Sequence, residues 1–128
     1  GDEEILPGVT ARLAKDSHTF GSQWFEVSTA NGPFVVAGDI AYWYSNIEQM
    51  WPPGYHQGNA FNQIKAYRQM RELLKNKTDR VIPGHDAELW NRHATWTAPS
   101  GNQIAEINLR GGDISRRPDT DAKKKHFP

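Results

Sequence analysis

Hydrophobic and polar positions change period several times along the chain. Val9–Leu13 alternates weakly, and Trp24–Thr29 and Phe34–Gly38 carry the aromatic and β-branched residues that suit strands. Asn31-Gly32 between the last two is a hairpin signal, because both residues tolerate the positive φ of a tight turn. After Asp39 the pattern turns aromatic and irregular through Tyr42-Trp43-Tyr44. Trp51-Pro52-Pro53-Gly54 then marks a loop that neither a helix nor a central strand accommodates. From Asn59, a good N-cap, Phe61, Ile64, Tyr67, Met70, Leu73 and Leu74 recur every three or so residues and predict an amphipathic helix of about four turns. Thr78–Ile82 reads as a short buried strand running into Pro83-Gly84-His85-Asp86, with Asp86 as N-cap of a helix starting at Ala87. Gln103–Leu109 alternates again. From Arg110 onward the chain shifts to Gly, Arg, Asp, Lys and Pro, with six basic and three acidic residues. The expected organisation is one unit over 1–109 and a polar basic tail over 110–128, mobile or lying on another surface.

Composition narrows this picture. A length of 128 residues suits one compact domain. Leu, Ile, Val and Phe number 24, just under the ~20% at which disorder is considered, but a net charge of zero and five Trp argue for a folded chain with a thin core. No apolar run reaches the ~20 residues of a membrane span, so no membrane role is expected. The absence of Cys rules out disulfides, a zinc ribbon and a thiol nucleophile, and leaves His, Asp and Glu for any metal. Balanced charge gives no field for nucleic acid, and Lys123-Lys124-Lys125 reads as a solvated tail. The opening Gly1-Asp2-Glu3-Glu4 lacks an initiator Met and the apolar stretch of a signal peptide. A proteolytic product, a tag-cleaved chain or part of a nicked protein is expected, with a cytoplasmic location.

Three segments combine a turn glycine with a metal-ligating side chain: His18-Thr19-Phe20-Gly21, Gly38-Asp39, and Pro83-Gly84-His85-Asp86. Such turns expose one side chain at a sheet edge. Imidazole and carboxylate are ligands for borderline and hard divalent ions, and a carboxylate can bridge two of them. Each residue has a plainer reading: His18 and His85 as hydrogen-bonded loop histidines, Asp39 as a turn residue, Asp86 as a helix cap, Tyr42 as packing. His56 and His93 fit no ligand position and read as surface residues. Phe20, Trp24, Trp43, Trp51 and Tyr55 read as core or interface, with Trp43 and Trp51 also candidate walls of a substrate pocket.

The ordered set His-Thr-x-Gly, Gly-Asp, Pro-Gly-His-Asp on strand ends resembles the second half of the metallo-β-lactamase superfamily, in the spacing of its N-acyl-homoserine-lactonase branch, over roughly Ile5 to Arg92. The resemblance implies an α+β fold, half of an αββα sandwich with antiparallel strands, a long amphipathic helix and a basic C-terminal tail. It implies two divalent metal ions, zinc or alternatively iron or manganese. His18 matches a ligand of one metal, Asp39 the carboxylate bridging both, and His85 a ligand of the second. Tyr42 matches the tyrosine that lactonases direct at the substrate carbonyl, so Asp39 and Tyr42 are the expected catalytic pair. The first-half motif, His-x-His-x-Asp-His, is missing here.

The resemblance therefore implies a metal-dependent, quorum-quenching type of hydrolase acting on a small-molecule lactone or related ester. It would be completed by an N-terminal half present as a nicked fragment or separate subunit, and further oligomerisation is compatible with it. Two alternatives stand beside it: another hydrolase of the superfamily, acting on a thioester, aryl ester or phosphodiester, and a non-catalytic half-domain that binds a partner chain.

Overall fold

The computed structural model describes residues 1–55 and 57–107. The chain divides into two compact units, Gly1–Asp86 and a second beginning at Ala87.

The first unit is built on a five-stranded sheet in the order β1 (Glu3–Leu6), β2 (Val9–Leu13), β3 (Gln23–Thr29), β4 (Gly32–Gly38), β5 (Val81–Pro83). The first four strands form an antiparallel meander, and β5 adds to β4 in parallel. The architecture is mixed α+β, as expected, though this last pair departs from an all-antiparallel sheet. A return from β4 to a parallel neighbour needs a long crossover, and it is filled by α1 (Tyr44–Gln49) and α2 (Ala60–Leu73).

The hairpin lies where expected, but its loop differs. Thr29 pairs with Gly32, so the two-residue loop is Ala30-Asn31, and of Asn31 and Gly32 only Gly32 has positive φ. Thr29 Oγ1 closes the turn by donating to the Gly32 carbonyl at 2.6 Å.

Cross-strand register sorts the side chains onto two faces. One carries Trp24, Val35, Ala37 and Val81, all buried. Arg12, on the same face, reaches to within 6.0 Å of the Trp24 ring, and both residues line a groove shared with Gln69, Glu72 and Leu73 of α2. The other face sets Val9, Val27 and Phe34 in one row and Ala11, Phe25, Val36 and Ile82 in the next. Several of these, including Phe25, Val27, Val36 and Ile82, remain half-buried. Phe34 is covered by the Arg80 guanidinium at 4.1 Å, and desolvation there lowers the Arg80 pKa.

The helix from Asn59 is confirmed: the Asn59 side chain accepts from the Phe61 N–H at 2.8 Å. Its buried stripe is Gln63, Ala66, Tyr67 and Met70, followed by Leu74, whereas Phe61 is 81% exposed. Periodicity places Phe61 inside because apolar character is its only guide; the helix instead rotates a glutamine inward. Helix α1 replaces the irregular stretch expected after Asp39. It has six residues, too few for a period to register, and buries Tyr44, Asn46 and Ile47. Residues 78–80 form a 3-10 turn in place of the expected strand, leaving only Val81–Pro83 extended. Of the aromatics expected in the core or at an interface, Trp24 is buried in the core, while Phe20, Trp43, Trp51 and Tyr55 are exposed. The unexpected strand β1 is wholly exposed and shows no burial pattern for a sequence to reveal.

The second unit contains α3 (Leu89–Arg92) and the antiparallel pair β6 (Ala94–Thr97) and β7 (Gln103–Glu106). β6 has no counterpart among the expected strands, and β7 occupies the first part of the expected late strand. His93, expected at the surface, is half-buried. His56, the last residues of the expected late strand and the basic tail at 110–128 lie outside the described residues. Among the described residues, no helix is long and apolar enough to cross a membrane.

Candidate functional site

His18 lies in the β2–β3 connection, which closes on itself through Ala14 N–H to Ser22 O (2.9 Å) and Asp16 N–H to Phe20 O (3.2 Å). The lead-in to α2 holds this loop from behind: Gln57 and Gly58 N–H donate to the His18 carbonyl at 2.8 and 3.1 Å, and Asn59 N–H to Asp16 O at 2.9 Å. The His18 side chain is 11% exposed, so it forms the floor of the site.

Asp39 follows directly on β4. Gly38, with φ +53°, turns the chain off the strand end, and a residue with a Cβ is strained in that region. His85 follows β5, the parallel neighbour of β4, so parallel pairing alone brings the two strand ends together. Gly84 N–H donates to Ala41 O at 2.9 Å and His85 N–H to Tyr42 O at 3.0 Å, lacing the two loops to each other.

The four residues selected from the sequence thus share one place. His85 Nε2 lies 2.8 Å from Asp39 Oδ1, and His18 Nε2 lies 3.9 Å from Asp39 Oδ2. Each imidazole faces a different oxygen of one carboxylate. The Tyr42 ring stands edge-on between them, 5.6 Å from the His18 ring and 4.7 Å from that of His85, with Trp43 5.6 Å beyond. Asp39 and His85 side chains are both 56% exposed, so the open side of the site is theirs.

Asp86 does not cap the helix that follows it. Glu88 is the residue at the N-cap of α3, and Asp86 Oδ2 instead accepts from Tyr44 N–H at 2.9 Å, at the first turn of α1. Trp43, at the N-cap of α1, has no side-chain acceptor for this purpose, so a carboxylate from the far end of β5 supplies one. The sequence holds no local signal for a cap that arrives from 42 residues away.

Two buried residues behind the site are not among those the sequence singles out. Gln63 Nε2 and Tyr67 Oη both donate to the Ile40 carbonyl, each at 2.7 Å. Burial raises the Tyr67 pKa, and its hydrogen bond with Gln63 pulls weakly the other way. The available signal is a period of buried positions on α2 that includes a glutamine.

The donor chemistry fits a divalent cation in part. Two imidazole nitrogens and both oxygens of one carboxylate face one another, which is a ligand set of the kind that zinc, iron or manganese accept. Three residues fall short of the four ligands of a tetrahedral ion. Among the described residues, no group of three or more His, Cys, Asp or Glu is arranged to hold a metal by itself. A ligating imidazole also needs an acceptor for its other N–H, and the buried His18 Nδ1 has none among the described residues. A separate groove of about 360 Å³ along α2, lined by Lys15, Asp16, Asn62 and Lys65, touches none of the four candidate side chains.

Comparison with known proteins defines the fold to which these strand ends belong. No family model and no curated protein matches the chain. Among solved structures, the chain is similar to an N-acyl homoserine lactone hydrolase with the product N-hexanoyl-L-homoserine bound at its catalytic metal centre. That match has a TM-score of 0.59 and 23% identity over 71% of this chain and 36% of that one. A quorum-quenching N-acyl homoserine lactone hydrolase matches with a TM-score of 0.59 and 23% identity, over 70% of this chain and 36% of the other. A probable metal-dependent hydrolase from Staphylococcus aureus matches with a TM-score of 0.56 and 17% identity, over 85% of this chain and 39% of the other. The chain therefore shares its fold with part of these structures, consistent with a metallo-β-lactamase-like fold, and spans well under half their length.

Proposed function

We propose that this chain is the C-terminal half of a metal-dependent hydrolase of a lactone or related ester, completed by an N-terminal half that carries His-x-His-x-Asp-His. The observation that carries the reading is the placement of His18 and His85 Nε2 on opposite oxygens of Asp39, within a fold shared with part of lactone hydrolases. The sheet supports the second element. The rows Val9, Val27, Phe34 and Ala11, Phe25, Val36, Ile82 make an apolar face opposite the face that α2 lines. Covering such a face with a second sheet gains ~25 cal/mol per Å² removed from water.

In this reading His18, Asp39 and His85 would hold two divalent ions, zinc being the first candidate. When bound, such a pair supplies Lewis acidity at the carbonyl and lowers the pKa of water toward ~7. Asp39 would contribute its two acceptor oxygens and its negative charge to holding the metal. His18 would contribute Nε2 from the floor of the site, where its side chain is 11% exposed. Tyr42, in ring contact with both histidines, offers its Oη–H to the oxyanion that develops on the substrate. The exposed side of Asp39 and His85 is where an ester would enter.

Size-exclusion chromatography followed by denaturing electrophoresis, with elemental analysis of the eluted peak, tests this reading. The expected result is a tight complex with a second polypeptide, holding metal and hydrolysing an acyl-homoserine lactone, a simple γ-lactone or an aryl ester. A well-folded monomer of 14.5 kDa, or a metal-loaded complex that turns over none of the three esters, overturns it.

A further inference from the structure

Polar side chains in a helix core are costly unless they make a needed hydrogen bond. Helix α2 carries two of them, Gln63 and Tyr67, one turn apart and both fully buried. They converge on one acceptor. Gln63 Nε2 and Tyr67 Oη each donate to the Ile40 carbonyl at 2.7 Å, so both lone pairs of that oxygen are filled from one helix. Gln63 keeps this bond although its own Oε1 is buried without a partner among the described residues. Ile40 is the residue immediately after Asp39, and Gly38, with φ +53°, is the one immediately before. Asp39 is therefore pinned on its C-terminal side and turned by glycine on the other.

We propose that Gln63 and Tyr67 are positioning residues for Asp39: their shared hydrogen bonds to the Ile40 carbonyl hold the carboxylate between the His18 and His85 imidazoles, where it serves a divalent cation. The inference rests on the proposed metal hydrolase for the cation, while the effect on the Asp39–His85 pair is independent of it. Apolar side chains at both 63 and 67 would fill the core but leave the Ile40 carbonyl without a donor among the described residues, so the segment that carries Asp39 would keep only Ile40 N–H to Ala37 O at 3.3 Å and the bonds from Gly84 and His85 N–H to Ala41 and Tyr42 O. The carboxylate would then swing relative to two imidazoles held by other loops.

The test uses Gln63→Met, Tyr67→Phe and the double variant of the full chain, with Ala66→Gly as a control. Ala66 lies on the same buried stripe and has no polar side-chain atom, so its loss weakens the helix without touching the Ile40 carbonyl. Two properties are read: the ring-nitrogen NMR signals of His85, and zinc affinity by chelator competition. The double variant is expected to move the His85 signals toward those of an unpaired imidazole. It should also weaken zinc binding by about 10–100-fold, the usual result of removing groups that orient ligands. Ala66→Gly should lower the melting temperature and change neither. Unchanged His85 signals in the double variant, or equal changes in Ala66→Gly, overturn the proposal. If the double variant does not fold, Tyr67→Phe alone decides by the same signals. If the unaltered chain binds no zinc with its partner present, the metal reading fails, and the His85 signals still judge the clamp.

Discussion

Gly84 passes so close to Gly38 that a Cβ on Gly84 would lie 2.7 Å from the Gly38 carbonyl oxygen and 3.2 Å from Asp39 Oδ1. The two glycines belong to the two strand ends that carry His85 and Asp39, so the lack of a side chain at 84 is what lets these residues meet.

Gly84→Ala is accordingly expected to force the loops apart. Overpacking of this kind costs about 1–3 kcal/mol, and here the contact is with backbone, which has little room to yield. Urea denaturation should show the loss of stability, and the NMR signal of the His85 imidazole should report loss of the 2.8 Å contact with Asp39. Wild-type values for both would mean that the loops have slack that the close approach denies.

Much of this arrangement was legible because it is local. Gly38-Asp39 and Pro83-Gly84-His85-Asp86 announce strand ends by composition, and Asn59 announces the start of α2. What sequence did not reveal depends on long-range geometry. Gln63 faces inward, where it donates to the Ile40 carbonyl, and the Tyr44 N–H in the first turn of α1 donates to Asp86, which lies in the loop after β5. Phe61 shows the same limit from the opposite side, since hydrophobicity places it inside and the helix's rotation leaves it out.

Asp86→Ala removes the acceptor for the Tyr44 N–H and should lower stability by about 0.5–2 kcal/mol, the range for a lost helix cap. Asp86→Asn keeps an acceptor oxygen and should recover most of it. Thermal melts of the two variants side by side check this, and equal melting temperatures would remove Asp86 from the account of α1.

The buried Tyr67 phenol fixes the alkaline limb of stability. Burial raises its folded pKa above the ordinary tyrosine value of 10.0, so above that pH the unfolded chain releases a proton that the folded chain retains. The folded state then binds more protons than the unfolded one, and stability falls as pH rises. The slope from one such group is at most about 1.4 kcal/mol per pH unit. Denaturant melts from about pH 9 to about pH 11, either side of an ordinary phenol's titration, should show this decline in the wild type and a flatter curve in Tyr67→Phe. Parallel curves would assign the alkaline loss to other groups.

Asp39→Asn and Tyr42→Phe should separate holding a metal from using one. The amide introduced by Asp39→Asn would keep one acceptor oxygen where the carboxylate has two, and it carries no charge to set between cations, so metal content and hydrolysis should fall together. Tyr42→Phe leaves both imidazoles and the carboxylate in place, since the ring contacts with His18 and His85 involve the aromatic face and edge. Metal content should stay at the wild-type level while turnover drops, by roughly 10²–10³-fold if Tyr42 Oη is an oxyanion donor of ordinary strength. Elemental analysis beside rates on an acyl-homoserine lactone, a γ-lactone and an aryl ester, all with the proposed N-terminal half bound, reads both effects. Full activity of Tyr42→Phe on every ester would reduce Tyr42 to a spacer between two histidines, and a loss of metal in that variant would make it part of the binding site.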